Sequence, residues 1–135
     1  MSGPEHTPAD EVRALRAAAR ALHKELLGAV QRRFEKLHRR VEGPGELLEL
    51  AAHDPLFEWL KPLSERLVEL EELDVDAVAR EQAAALRAGF GRLLDADGEF
   101  AAVYRVYLQS EPDVVIAHAE LRRALRGALQ RSSDS

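Results

Sequence analysis

From about Pro8 the residues Val12, Leu15, Ala19, Leu22, Leu26, Val30, Phe34, Leu37 and Val41 recur every three or four positions, with Arg, Lys, Glu and Gln between them. That spacing predicts one amphipathic helix of about 35 residues, or roughly 50 Å at 1.5 Å per residue. Gly43-Pro44-Gly45 ends it, because glycine tolerates a left-handed residue and the proline ring cannot continue the helix. A second helical stretch opens near Gly45 with Leu47, Leu48 and Leu50. It meets His53-Asp54-Pro55, where Asp54 is placed to cap and Pro55 to take the first helical position. The stripe Leu56, Trp59, Leu60, Leu63, Leu67, Leu70 and Leu73 follows, with a kink expected at Pro62, whose ring presses on the carbonyl of Glu58.

Asp74 or Asp76 then caps a third helix through Val78, Ala79, Gln82, Ala83, Leu86, Phe90, Leu93 and Leu94, which stops at Asp95-Ala96-Asp97-Gly98. A last segment carries Phe100, Val103, Tyr104, Tyr107 and Leu108. It breaks at Ser110-Glu111-Pro112-Asp113, with Ser110 read as an N-cap, and resumes with Val114, Val115, His118, Leu121, Leu125 and Leu129. No segment alternates with period two, so strands are not expected. The predicted fold is all-α, an antiparallel bundle of about four main helices, with helix two and the last helix broken or kinked near Pro55, Pro62 and Pro112. Residues 8–131 form the single domain, and 1–7 and 132–135, made of Ser, Gly, Pro and charge, read as disordered tails.

Composition narrows the chemistry. At 135 residues, 46% hydrophobic and 32% charged, the chain has enough hydrocarbon for one core and enough charge to keep its outside wet. It holds no cysteine, which removes disulfides, thiolate metal sites and thiol nucleophiles. The stretch Met1 to Asp10 lacks a basic-then-apolar leader, and no apolar run approaches the roughly 18 residues a membrane span requires, so a cytoplasmic protein is expected. A net charge of −5 argues against nucleic acid as the main partner.

Several constellations bear on function. Glu35-Lys36-Leu37-His38 matches the Glu-x-x-His pair with which helical bundles hold di-iron, but it occurs once, among arginines, so Glu35 and His38 are weak metal candidates and no cofactor is expected. His6, His23, His53 and His118 have no ligand spacing, and His118 reads as a hydrogen-bonded core or boundary residue. Ser64 is the one buried-looking nucleophile; without a recognisable elbow or base it reads as a hydroxyl bonding back to the kinked backbone. Gly28, Gly89 and Gly91, with Ala83, Ala84, Ala85 and Ala88, imply close approach of a neighbouring helix or, as the lesser reading, room for an apolar ligand.

Charge is unevenly placed. Arg32, Arg33, Lys36, Arg39 and Arg40 form one basic cluster and Arg122, Arg123, Arg126 and Arg131 another; opposite ends of an up-down bundle would hold them, with no interleaved aromatics for bases to stack on. The acidic run Glu65, Glu69, Glu71, Glu72, Asp74 and Asp76 would face Arg13, Arg16, Arg20 and Lys24 of an antiparallel helix one. Phe57 and Trp59 are rare aromatics two residues apart, about 200° around a helix. One of them anchors an interface, or the segment bends enough to bury both.

Asp54-Pro55-Leu56-Phe57-Glu58-Trp59-Leu60-Lys61-Pro62-Leu63-Ser64, together with Gly98-Glu99-Phe100, Tyr104, Leu108 and Pro112-Asp113-Val114-Val115-Ala117-His118, resembles segments of small uncharacterised bacterial all-helical proteins. Arg66 departs from that resemblance by standing where an aliphatic residue is expected. The resemblance implies a helical fold and no activity. The leading expectation is therefore a non-enzymatic module that associates with itself or another protein, through Phe57, Trp59 and an overhanging helix one. The alternatives are a bundle binding a cofactor or small apolar ligand near Gly89 and Gly91, with His118 or His38 as polar contact, and, more weakly, a nucleic-acid-associated protein.

Overall fold

The apolar stripe of the first helix is the surface on which the rest of the chain assembles. The computed structural model describes residues 7–95 and 97–134, with side chains through residue 126. It contains, among those residues, seven α-helices and no strand: α1 (Pro8–Leu37), α2 (Pro44–His53), α3 (Pro55–Glu58), α4 (Lys61–Glu72), α5 (Arg80–Asp95), α6 (Glu99–Ser110) and α7 (Pro112–Asp134), with a 3-10 turn at Val75–Ala77 between α4 and α5. Of the expected tails, residues 1–6 and 135 lie outside the described residues. Thr7 caps α1, and α7 is helical through residue 134.

Thr7 Oγ1 accepts from the backbone N–H of Asp10 at 3.0 Å while Asp10 Oδ2 accepts from that of Thr7 at 3.3 Å, satisfying two orphan donors at the start of α1. Along the helix Val12, Leu15, Ala19, Leu22, Leu26, Ala29, Val30 and Phe34 are buried, each large aliphatic side chain contributing about 1.5–3 kcal/mol. Against this stripe lie α3, α4, the 3-10 turn, α5 and α7. One contiguous core cluster results, running from Val12 to Leu121.

The helix ends four residues earlier than its apolar spacing predicts. His38 closes it, Leu37 is left 61% exposed, and Val41 is buried from a loop in which its N–H donates to Glu35 Oε2 at 2.9 Å. Gly43 then adopts φ +99° and ψ 175°, a conformation nearly confined to glycine, and Pro44 opens α2. No residue of α2 is buried; Leu47 and Leu50 reach the edge of the core and Leu48 is 72% exposed.

Asp54 caps α3 as its sequence position implies, its Oδ1 accepting from the Leu56 N–H at 2.8 Å. Pro62 does not kink a continuous helix. The chain leaves helix at Trp59 and Leu60, and Pro62 falls in the first turn of α4, where its missing N–H costs no intrahelical bond. Asp74 caps the 3-10 turn by accepting from the Asp76 N–H at 3.2 Å, so α5 starts only at Arg80. Ser110 is not an N-cap either, since its hydroxyl donates back to the Val106 carbonyl at 3.0 Å at the end of α6.

Polar contacts set the register of α4 on α1. Arg13 pairs with Asp76 at 2.8 Å and Arg20 with Glu71 at 2.7 Å. Arg16, only 20% exposed at its side chain, donates through Nε to the Leu70 carbonyl at 3.0 Å and through a terminal nitrogen to that of Leu73 at 3.2 Å, closing the end of α4. These pairs run in opposite directions along the two helices, so α1 and α4 are antiparallel. Across α1 and α5 the buried carboxylate of Glu11 pairs with Arg87, a contact that would leave an uncompensated buried charge if Arg87 were lost.

The glycines separate into two classes. A Cβ at Gly43 would meet no atom within 4 Å, so the positive φ alone decides, and Gly43→Ala is expected to destabilise by about 1–3 kcal/mol. Gly91, inside α5, also has open space, and Gly91→Ala is expected to stabilise by up to about 1 kcal/mol through helix propensity. Urea unfolding of the two variants should move the midpoint in opposite directions.

Candidate functional site

The break at Trp59 and Leu60 determines what happens to the two rare aromatics. Because helix stops between them and α4, Phe57 turns into the core and is fully buried, while Trp59, 8% exposed, turns toward α6. The bend thus buries both. Phe57 lies 6.1 Å from Phe34 of α1, ring centre to ring centre. Trp59 stacks on Tyr107 at 5.2 Å and 14° and tilts against Phe100 at 5.4 Å. Its indole N–H is buried with no hydrogen-bond partner among the described residues, a mismatch costing about 1–3 kcal/mol.

Beside this stack runs an open groove of about 470 Å³ between α3 and α6. Pro55, Leu56 and Trp59 form one wall; Ala102, Val103, Val106 and Tyr107 form the other; Arg33 and Glu99 supply its charge. Val106 is 50% exposed there. A second, more polar groove of about 630 Å³ lies along α2, lined by Glu42, Glu49, His53 and Asp54 and by Arg39 and Glu46, which pair with each other.

Two histidines lie at helix contacts. His118 Nδ1 is 2.7 Å from the Tyr104 hydroxyl, joining α7 to α6. Burial lowers its pKa, Arg122 lowers it further, and Asp95 opposes both. Burial pushes the Tyr104 hydroxyl well above the ordinary phenol range, so it stays protonated and serves as donor. Arg122 pairs with Asp95 at 2.6 Å and holds that carboxyl below its usual value, closing a small network at the meeting of α5, α6 and α7.

His23 Nε2 lies 2.8 Å from Ser64 Oγ across α1 and α4, and burial lowers its pKa as well. Ser64 therefore does not bond back to the backbone as its sequence context implied. Its partner sits 41 positions away, and nothing in local sequence could have paired them. A serine bonded to a neutral imidazole resembles the first two members of a nucleophilic dyad. No carboxylate among the described residues orients the other ring nitrogen, however, and Ser64 is embedded in α4 facing α1, which makes the pair a bridge between helices rather than an assembled site.

The remaining sequence candidates disperse. Glu35 accepts from Val41 and lies 3.4 Å from the Gln31 amide, and His38 rests on Phe34 at 4.8 Å. Among the described residues no three His, Asp or Glu side chains are grouped as a metal site would require. At Gly89 the nearest atoms to a would-be Cβ belong to the guanidinium of Arg66, not to a neighbouring helix backbone. The basic clusters are partly neutralised: Arg32 pairs with Glu111 at 2.7 Å, Arg39 with Glu46, and Arg123 with Glu120 at 2.7 Å. Arg131 lies outside the described side chains. No described helix is long and apolar enough to cross a membrane.

Comparison with protein families, with curated proteins and with solved structures finds no match to this chain.

His23 and His118, both half-buried, bind a proton less readily folded than unfolded. Stability is thus fully present above the ordinary histidine value of 6.5 and declines as pH falls below it toward the depressed folded values. Thermal unfolding between about pH 7.5 and about pH 5, the range that brackets the ordinary histidine value, should show a falling midpoint. The double variant His23→Gln, His118→Asn keeps an amide where each bonded nitrogen stood and should flatten the decline; an unchanged slope would assign it to other groups.

Proposed function

We propose that the protein is a non-enzymatic association module, acting in the cytoplasm, whose binding surface is the groove between α3 and α6. In this reading α1, the run α2 to α4, α5, and the last segment α6 with α7 make up the four parts of an antiparallel bundle that holds the groove in place. The observation that carries it is the composition of the groove: a tryptophan and a tyrosine stacked in its wall, half-exposed Val106, and charge at its margin, the pattern of aromatic core and polar rim found at protein interfaces. Leu37, Leu48 and Ile116 add exposed apolar surface on α1, α2 and α7.

The reading also takes support from what the polar groups already do. Ser64 and His23 satisfy each other, His118 and Tyr104 do the same, and Arg32, Arg39, Arg122 and Arg123 of the two basic clusters are paired. A small apolar ligand is the second reading, favoured by one observation: a groove of about 470 Å³ falls within the size range of small-molecule sites.

Native mass spectrometry of the protein purified from its own host separates the two. A complex of two or more polypeptide chains without an added organic mass is the expected result. A monomer carrying an organic mass would replace the association reading with ligand binding.

A further inference from the structure

The outer face of α6 carries Glu99, Ala102, Val103 and Val106, spaced three and four apart so that they form one stripe along the groove. Glu99 stands at the N-terminal end of this stripe. Val106 and Tyr107 stand at the other end, about 10 Å away along the axis. Arg33 of α1 lines the same groove, and its neighbour Arg32 pairs at 2.7 Å with Glu111, the C-terminal cap of α6 just beyond Tyr107, which places this stretch of α1 at the Tyr107 end and leaves Arg33, among the described residues, as the unneutralised charge there. The strip is therefore acidic at one end, apolar in the middle and basic at the other.

Several arginines, among them Arg13, Arg20, Arg32, Arg39, Arg87 and Arg122, each contact a carboxylate from a different element. Arg33 and Glu99 are among the charged residues that do not. Among the described residues neither takes part in an ion pair, although both line the same groove.

A strip with opposite charges at its ends is complementary to itself when turned by 180°. We infer that the α6 face is the contact between two copies of this chain, related by a two-fold axis, with Arg33 of each copy paired to Glu99 of the other. This rests on the association reading and names the partner.

In such an arrangement two α6 helices run antiparallel, crossing near Ala102 and Val103, whose small side chains allow close helix approach. Glu99 of one copy then lies opposite Val106 of the other, next to Tyr107 and Arg33, so that both ion pairs form together. An isologous contact closes on itself and gives a dimer rather than a filament. A foreign protein or an apolar ligand would fill the groove equally well, but neither is required to carry an acid and a base in this order. A single 12-residue helix face is small for a stable complex, which typically buries about 1,600 Å², so the dimer is expected to dissociate in the micromolar range.

Sedimentation equilibrium of the full chain, with helicity and unfolding midpoint measured on each variant, tests the arrangement. Arg33→Glu alone and Glu99→Arg alone each place like charges together at both symmetric positions and should weaken the dimer about 10-fold or more. The two substitutions combined restore opposite charges and should return dissociation to within about 3-fold of the original. Val106→Arg should give a folded monomer. A wild-type chain that stays monomeric at high concentration overturns the proposal. So does a dimer indifferent to the single reversals, but that outcome leaves the association reading intact on another surface. If native spectra also show a monomer with an organic mass, the association reading falls as well.

Discussion

One continuous apolar face, from Val12 to Phe34 on α1, is the constraint on which the rest of the structure depends. α3, α4, the 3-10 turn, α5 and α7 all pack on it. Hydrophobic burial explains why they gather there and says little about how they are rotated or shifted, because it is not directional. The directional contacts come from the margins of the stripe: Arg13 to Asp76, Arg16 to the carbonyls of Leu70 and Leu73, Arg20 to Glu71, and His23 to Ser64. Exposed pairs among these contribute little energy singly. Their common effect is to make one sliding position of α4 better than its neighbours.

The helical pattern was plain in the sequence because period and punctuation agreed. The stripe of α1, the opening of α2 at Pro44, the cap at Asp54 and the restart at Pro112 all follow from local rules, as does the charge match between α1 and α4. The departures share a physical cause. Leu37 continues the apolar spacing but has left the core, and Val41 has left the helix but enters the core, where the carboxylate of Glu35 in the last turn of α1 accepts its N–H and holds the loop back. Pro62 was read against a continuous helix, whereas the chain stops at Trp59 and starts again.

The contacts that give the candidate site its character were less legible. Ser64 with His23, Tyr104 with His118 and Arg66 over Gly89 each join residues on separate elements, and no spacing rule links them. The groove itself depends on Trp59 turning toward α6 instead of following Phe57 into the core. Sequence reasoning could frame that as a choice between an interface anchor and a bend; only the backbone break resolves it, by allowing both aromatics to be buried while one still forms the wall of an open surface.

That placement gives the molecule a built-in optical sensor. Trp59 is its only tryptophan, so all indole emission comes from one ring, held against Tyr107 at the edge of the groove and shielded from water without a hydrogen-bond acceptor for its N–H. An indole in such surroundings emits toward the blue, and excitation of the adjoining tyrosines is passed to it across a few ångströms. Whatever occupies or distorts the groove alters the light from this single residue, whereas events at the far end of α1 leave it dark to inspection.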